Sequence, residues 1–401
     1  MKTKVIEELV NIDNYPEARP FPNARKLTLG DLHGNALKFL FFLIKEGVVA
    51  CDKKNYQRFV EIYKQEVNDL NKEDLADFET ICDELSVISN IEICLIGDTL
   101  CDRGSNDYFT LKLLQVLKAN SIKIEIMLSN HDFTFIESLE TTGVFRSENN
   151  CGDRKFGRSM NQLQDLIDAG KLTKETILAL VQEAYLPSLK LLSYTVNNNK
   201  EFTIFSHALT DDLVTKNLAD ELGVNYQTAT VKDYAATIDA INQAFQRNYV
   251  TQGLVIDLPN YNDGCDQSDP VFFLMWNRKY DFFQNESHSY RVNRVHGHDS
   301  KGSVQPNVCC LNNKLGAHLE LHSEKYNVLV NTDELQLEKQ LSSFGAKHYE
   351  KKQKENNYVN NYFSSQNPSK HPFGHSSFFN SRDNQSKVIE SSPCRQIMIN
   401  I

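Results

Sequence analysis

Hydrophobic and polar positions over the first 330 residues follow two rhythms. Short apolar runs at 26–29, 91–96, 122–128, 203–205, 292–295, 308–311 and 326–330 predict strands, and longer amphipathic stretches lie between them. Over 71–85, Leu75, Phe78, Ile81, Cys82 and Leu85 share one helical face behind Asn71, a residue suited to cap the first turn. Over 231–248, Tyr234, Ile238, Ile241 and Phe245 recur at i, i+4, i+7 and i+11. The stretch 162–192 predicts two helices, broken at Gly170 and ending near Pro187. This alternation is the α/β pattern. Beyond about 330 it stops. The segment 331–356 reads as a charged helix with a thin stripe of Leu335, Leu337, Leu341 and Phe344. From 357 onward Asn, Ser, Lys and isolated Phe follow no apolar period, and such a segment cannot bury enough surface to offset its ordering entropy. A domain over 1–330 and a helical then flexible polar tail over 331–401 are therefore expected.

Composition narrows the class. A chain of 401 residues with 40% hydrophobic content can build a sizeable core. Its 43 basic against 53 acidic residues give a net charge of −10, which argues against a nucleic-acid or anionic-membrane partner. The nine cysteines are scattered without a CxxC pair, as expected of idle thiols in a reducing compartment. The start of the chain carries no signal-peptide apolar region. The run Phe39 to Ile44 falls far short of the ~20 residues of a membrane span. A soluble cytoplasmic protein is the expectation.

Five short segments change the picture. Gly30-Asp31-Leu32-His33-Gly34-Asn35 follows a strand and opens a helix over 36–46. Gly97-Asp98, continuing to Asp102-Arg103-Gly104, follows the next strand, and Ser129-Asn130-His131-Asp132 follows a third. Ser206-His207-Ala208 and His296-Gly297-His298-Asp299 complete the set. Singly, each is more simply a turn with a hydrogen-bonded histidine. Together they bring oxygen and nitrogen donors to the ends of successive strands, which share one crevice in an open sheet. Asp, His and Asn donors without cysteine suit Mn, Fe or Zn, and an arginine beside a carboxylate able to bridge two ions suits phosphate hydrolysis.

In order and content the five segments resemble the calcineurin-like metallophosphoesterases, and the Asp-Arg-Gly and Asn-His elements point to their phosphoprotein phosphatase branch. The resemblance spans about 26–330 and implies a central β-sandwich flanked by helices. It implies that Asp31 and His33 hold one divalent ion, that Asp98 bridges two, and that Asn130, His207 and His298 complete the second site. Arg103, Arg278 of Leu274-Met275-Trp276-Asn277-Arg278, and Asn130 would bind the substrate phosphate. His131 would be the general acid, oriented by Asp102. The implied reaction is hydrolysis of protein phosphomonoesters by direct attack of a metal-bridging hydroxide, with serine and threonine phosphoesters favoured and phosphotyrosine open. A dinucleoside tetraphosphate hydrolase and a pseudophosphatase binding module are the rival readings.

Departures from the family pattern add detail. Thr99, Leu100 and Cys101 separate Asp98 from Asp102, one residue more than the family spacing, so a bulge is needed to re-aim Arg103. Ser129 stands where the family has glycine, and His296 competes with His298. The stretch between Asp31 and Asp98 holds a helical insertion at about 51–90, positioned to rim the crevice. These departures and the polar tail resemble phosphatase effectors that intracellular bacteria secrete into host cells. That would imply host phosphoproteins as partners and the host cytoplasm as the place of action. Gly152-Asp153-Arg154 echoes a motif but reads as a solvated loop, and His371 and His375 as solvated tail residues.

Overall fold

The computed structural model describes residues 2–21, 23–147, 156–251, 267–278, 288–299, 307–318 and 321–332. Within them the strands are β1 (Lys2–Asn11), β2 (Ala24–Leu29), β3 (Val49–Ala50), β4 (Ser86–Val87), β5 (Glu92–Leu95), β6 (Ile124–Met127), β7 (Leu189–Lys190), β8 (Ser193–Val196), β9 (Phe202–Phe205), β10 (Val292–His296), β11 (Val308–Cys310) and β12 (Ser323–Thr332). The helices are α1 (Ala36–Lys45), α2 (Lys53–Tyr63), α3 (Lys72–Glu84), α4 (Asp107–Ala119), α5 (Asn130–Thr142), α6 (Arg158–Asp168), α7 (Lys174–Leu180), α8 (Asp212–Glu221), α9 (Val231–Phe245) and α10 (Pro270–Trp276). All seven predicted strands are present. The tail beyond 332, the Gly152-Asp153-Arg154 loop, His371 and His375 lie outside the described residues.

The strands form two main sheets. One has the order β1-β12-β2-β5-β6-β7, with β2, β5, β6 and β7 parallel and β1 and β12 antiparallel at its edge. The other has the order β11-β10-β9-β8, with β9, β10 and β11 parallel. Cys94, Ile96, Met127 and Leu329 from the first sheet and Phe205, Val295 and Leu311 from the second form one buried cluster. That shared apolar layer makes the two sheets a sandwich. Helices flank it, as the α/β reading expects.

Strand register delivers the crevice. Leu29 pairs with Leu95 and Leu95 with Ile126, so β2, β5 and β6 end at one level. Phe205 pairs with Val295 in the second sheet, which levels β9 with β10. The five motif segments each leave the carboxyl end of one of these five strands, while Arg278 follows α10. α1 is buried from Ala36 to Ile44 and starts at the Asn35 cap, whose side chain accepts from the Lys38 N–H.

The stretch 51–90 is helical as expected. α3 begins with a reciprocal capping box between Asn71 and Asp74. Phe59 on α2 stacks on Phe78 on α3 at 5.1 Å, and Phe78 meets Phe109 on α4 edge-on at 4.7 Å. The Tyr63 hydroxyl accepts the Ser105 N–H at 3.0 Å, fastening this helical pair to the loop that follows Arg103.

Candidate active site

Backbone hydrogen bonds join the first of the five loops to the second and the fourth to the fifth. Leu32 N–H donates to the Gly97 carbonyl, Gly34 N–H to Asp98, Gly104 N–H to His33, and Gly297 N–H to His207. Two glycines are required by space. A Cβ on Gly297 would lie 1.7 Å from Asp31 Oδ1, and one on Gly97 would lie 2.6 Å from His207 Nδ1 while its φ is +104°. His33, Asp98 and His298 adopt left-handed φ of 61°, 50° and 62°, unusual for residues with side chains. Three predicted ligands thus hold strained backbones, a feature that clusters at functional sites.

Donor atoms converge in the buried crevice. Asp31, His33 and Asp98 present ligand atoms within 4.8 Å of one another, as do Asp98, Asp102 and His131. His33 Nε2 faces the Asn313 carbonyl at 3.1 Å, and its Nδ1 faces Asp102 Oδ2 at 3.0 Å and Asp98 Oδ2 at 3.9 Å. Both ring nitrogens therefore face acceptors. Asp31 takes the His298 N–H on its carboxylate.

On the other side, His207 Nδ1 lies 2.7 Å from the Ile96 carbonyl and must donate to it. Burial, the main influence, holds the His207 pKa below the ordinary value, so the ring is neutral and Nε2 carries a lone pair. That lone pair meets Asn130 Oδ1 at 3.1 Å, His298 Nδ1 at 3.1 Å and Asp98 Oδ1 at 3.5 Å. Asp98 Oδ1 itself is buried and accepts no hydrogen bond.

This donor set fits divalent cations. Asn130 Oδ1 and Asp98 Oδ1 bring no proton to the His207 lone pair, and acceptors that converge in this way repel unless a cation sits among them. Burial and the neighbouring Asp98 push the Asp31 carboxyl well above its ordinary pKa, a conflict that a cation would relieve. His298 is likewise held neutral, first by burial and then by His207. His296, the competing histidine, instead turns Nδ1 to the Gly297 carbonyl at 2.9 Å.

Around His131 the arrangement differs from expectation in one respect. Asp102 does not hydrogen-bond it, since His131 Nε2 and Asp102 Oδ1 are 3.6 Å apart. The Cys101 carbonyl orients the ring, accepting from Nδ1–H at 2.7 Å. Cys101, in the one-residue-longer loop, sits at φ 57°; that left-handed kink is where the expected bulge lies. Asp102 still acts through charge. Burial alone would lower the His131 pKa, but Asp102 and Asp98 outweigh it and the net shift is upward. Asp102 gathers Arg103 Nε at 2.8 Å as well as His33. Arg278 reaches the His298 carbonyl at 3.3 Å.

Some residues at the site had no signal in the sequence. Lys38 is fully buried on α1, its Nζ 2.6 Å from the Asp31 carbonyl. Burial lowers its pKa to about 8 despite the opposing Asp31. Phe156 lies against His131, with ring centroids 4.4 Å apart. A buried lysine on an apolar helix and a phenylalanine outside every motif look ordinary until the loops close.

Comparison with known proteins agrees with this geometry. Residues 92–317 match the family described as WipA-like, phosphatase domain, a span that takes in four of the five segments. Among solved structures, the chain is similar to the phosphatase domain from the Legionella effector WipB. The TM-score is 0.62 at 30% sequence identity, covering 68% of this chain and 98% of that one. No curated protein matches the chain. Together, the matched span and the shared fold make this chain a phosphatase that belongs to the WipA-like phosphatase domain family.

Proposed function

We propose that the protein is a metal-dependent phosphoprotein phosphatase, with phosphoserine and phosphothreonine favoured over phosphotyrosine. The observation that carries the reading is the convergence of Asp31, His33, Asp98, Asn130, His207 and His298 at the carboxyl ends of five strands from two sheets. Asp31 and His33 would hold one ion, Asp98 would serve both, and Asn130, His207 and His298 would hold the second. Two divalent cations held there supply an activated water and positive charge against the phosphoryl oxygens.

The chain's own residues account for the rest. α5 begins at Asn130, so the positive end of its dipole and the Asn130 amide meet the anionic phosphate. Arg103 and Arg278 would stabilise equatorial oxygens. Asp102 restrains Arg103 through Nε, which fixes the guanidinium at the crevice. His131, its Nδ1 tied to Cys101, keeps Nε2 for the departing alkoxide and gives up the proton there.

The reading extends to context. The similar solved domain belongs to a Legionella effector, which supports action on host phosphoproteins in the host cytoplasm. The catalytic unit is read as 1–330, and 331–401 as an appended segment for export or targeting.

An initial-rate panel with added manganese tests the proposal. Phosphothreonine peptide, phosphotyrosine peptide and diadenosine tetraphosphate are compared, with Asp98→Asn as the blank. Peptide turnover that disappears in Asp98→Asn is expected, a loss of at least ~10²-fold. Turnover of the nucleotide alone would replace the proposal with the hydrolase reading.

A further inference from the structure

Asp98 joins both donor groups, yet its backbone stands at φ 50°. Residues without an assigned role hold it there. Its N–H donates to Ser129 Oγ at 2.9 Å, and the Ser129 hydroxyl donates onward to Asp132 Oδ2 at 2.6 Å. The same carboxylate takes the Thr99 N–H at 3.3 Å and the Leu100 N–H at 3.2 Å. Its Oδ1 also accepts the Tyr185 hydroxyl at 2.8 Å. Ser129, Asp132 and Tyr185 are all fully buried.

We infer that Ser129, Asp132 and Tyr185 form a positioning relay that fixes Asp98 and the Thr99–Leu100 loop, and so sets how tightly the site holds a divalent cation. The inference rests on the reading of Asp98 as a metal ligand. Only a side chain that both accepts and donates can take the Asp98 N–H and pass a hydrogen bond to Asp132, and a hydroxyl does this. That gives Ser129 a role beyond capping α5. Tyr185 comes from a π-helical turn, Val181–Tyr185, and such turns are frequent at functional sites. The carboxylate gathers backbone donors from the loop just beyond Asp98, and so fixes that loop.

Ser129 also caps α5 by accepting the Asp132 N–H, so the test must separate capping from relay. Ser129→Gly keeps an acceptable N-cap, but it removes the hydroxyl. Ser129→Thr keeps both functions. Manganese binding to the full chain is measured by calorimetry, alongside the melting temperature of each metal-free protein.

Ser129→Gly should weaken manganese binding by about 10–100-fold, the range for groups that orient metal ligands. Its metal-free form should stay folded with a lowered melting temperature, because the buried Asp98 N–H and Asp132 carboxylate each lose a partner. Ser129→Thr should restore most of the affinity, and Tyr185→Phe should weaken it by a smaller factor. Wild-type affinity in Ser129→Gly, or a loss that Ser129→Thr fully shares, would overturn the relay. If Ser129→Gly does not fold, Tyr185→Phe decides, since unchanged affinity there overturns the relay and weakened affinity supports it. Wild-type protein that takes up no manganese would instead overturn the metal reading, and the relay with it.

Discussion

His131 has one ring nitrogen committed and one available. Nδ1–H is held by the Cys101 carbonyl, and Asp102 raises the ring's tendency to carry a proton without bonding to it. In the proposed acid role, His131 matters most when the leaving group is poor. His131→Ala should therefore cut turnover of a phosphoserine or phosphothreonine peptide by about 10²–10⁴-fold. An aryl phosphate with an acidic phenol departs without protonation, so its turnover should fall far less. Equal losses on both substrates in initial-rate assays would remove His131 from the acid role. At this scale the sequence indicates which residues meet in the crevice wherever they sit in a contiguous motif, as with Asp31, Asp98 and His207. It was silent where a contact joins distant segments. Asp102 meets His33 across 69 positions and Asp132 meets Tyr185 across 53. The Cys101 carbonyl could not be assigned either, because its direction depends on a left-handed φ that the residue type disfavours.

Strands are held in register at the end remote from the crevice by a buried charge network. Lys26 on β2 binds Glu125 on β6 at 2.6 Å, Glu92 on β5 at 2.7 Å and the Ser193 hydroxyl on β8 at 2.6 Å. Its ammonium also lies 5.2 Å from the centre of the Phe205 ring on β9, in the second sheet. Burial alone would raise the Glu125 pKa, but Lys26 and Lys123 outweigh it and hold the carboxyl well below the ordinary 4.5. A depressed carboxyl stabilises the fold above its unfolded pKa, and that contribution fades as pH falls through the folded value. Glu125→Gln should cost about 1–3 kcal/mol in urea unfolding at pH 7, because Lys26 keeps Glu92 but loses its best-buried partner. The gap to wild type should narrow as pH drops below about 4.5. A gap of constant size would mean that Glu125 contributes shape rather than charge. Among the elements, α3, α9 and the seven apolar strands were legible because their periods are local. β1 was not. Its charged Lys4, Glu7 and Glu8 mask the alternation, and it forms by pairing with β12 along its whole length, from Lys2 with Thr332 to Asn11 with Ser323. The two-residue β7 leaves equally little trace, being defined by its partner β6 rather than by its own sequence.

Across the whole molecule, the two sheets share an apolar layer and also share the site. Asp31, Asp98 and Asn130 follow strands of the six-stranded sheet, while His207 and His298 follow strands of the four-stranded one. A cation held by both groups would act as a cross-link between the halves of the sandwich, and folding and metal binding would be linked. A ligand that binds only the native state adds RT ln(1 + [L]/Kd), about 2.7 kcal/mol at a hundred times Kd. Manganese should therefore raise the melting temperature of the purified chain by several degrees, and a chelator should reverse the rise. Asp98→Asn should abolish most of the shift, since its carboxylate faces donors from both sheets. His207→Ala tests the cross-link itself, because it removes a donor contributed solely by the smaller sheet. If His207→Ala kept the full manganese-induced rise, the stabilising ion would belong to the larger sheet alone, held by Asp31, His33 and Asp98. A rise reduced in both variants would mean that the metal site and the sandwich core stabilise each other.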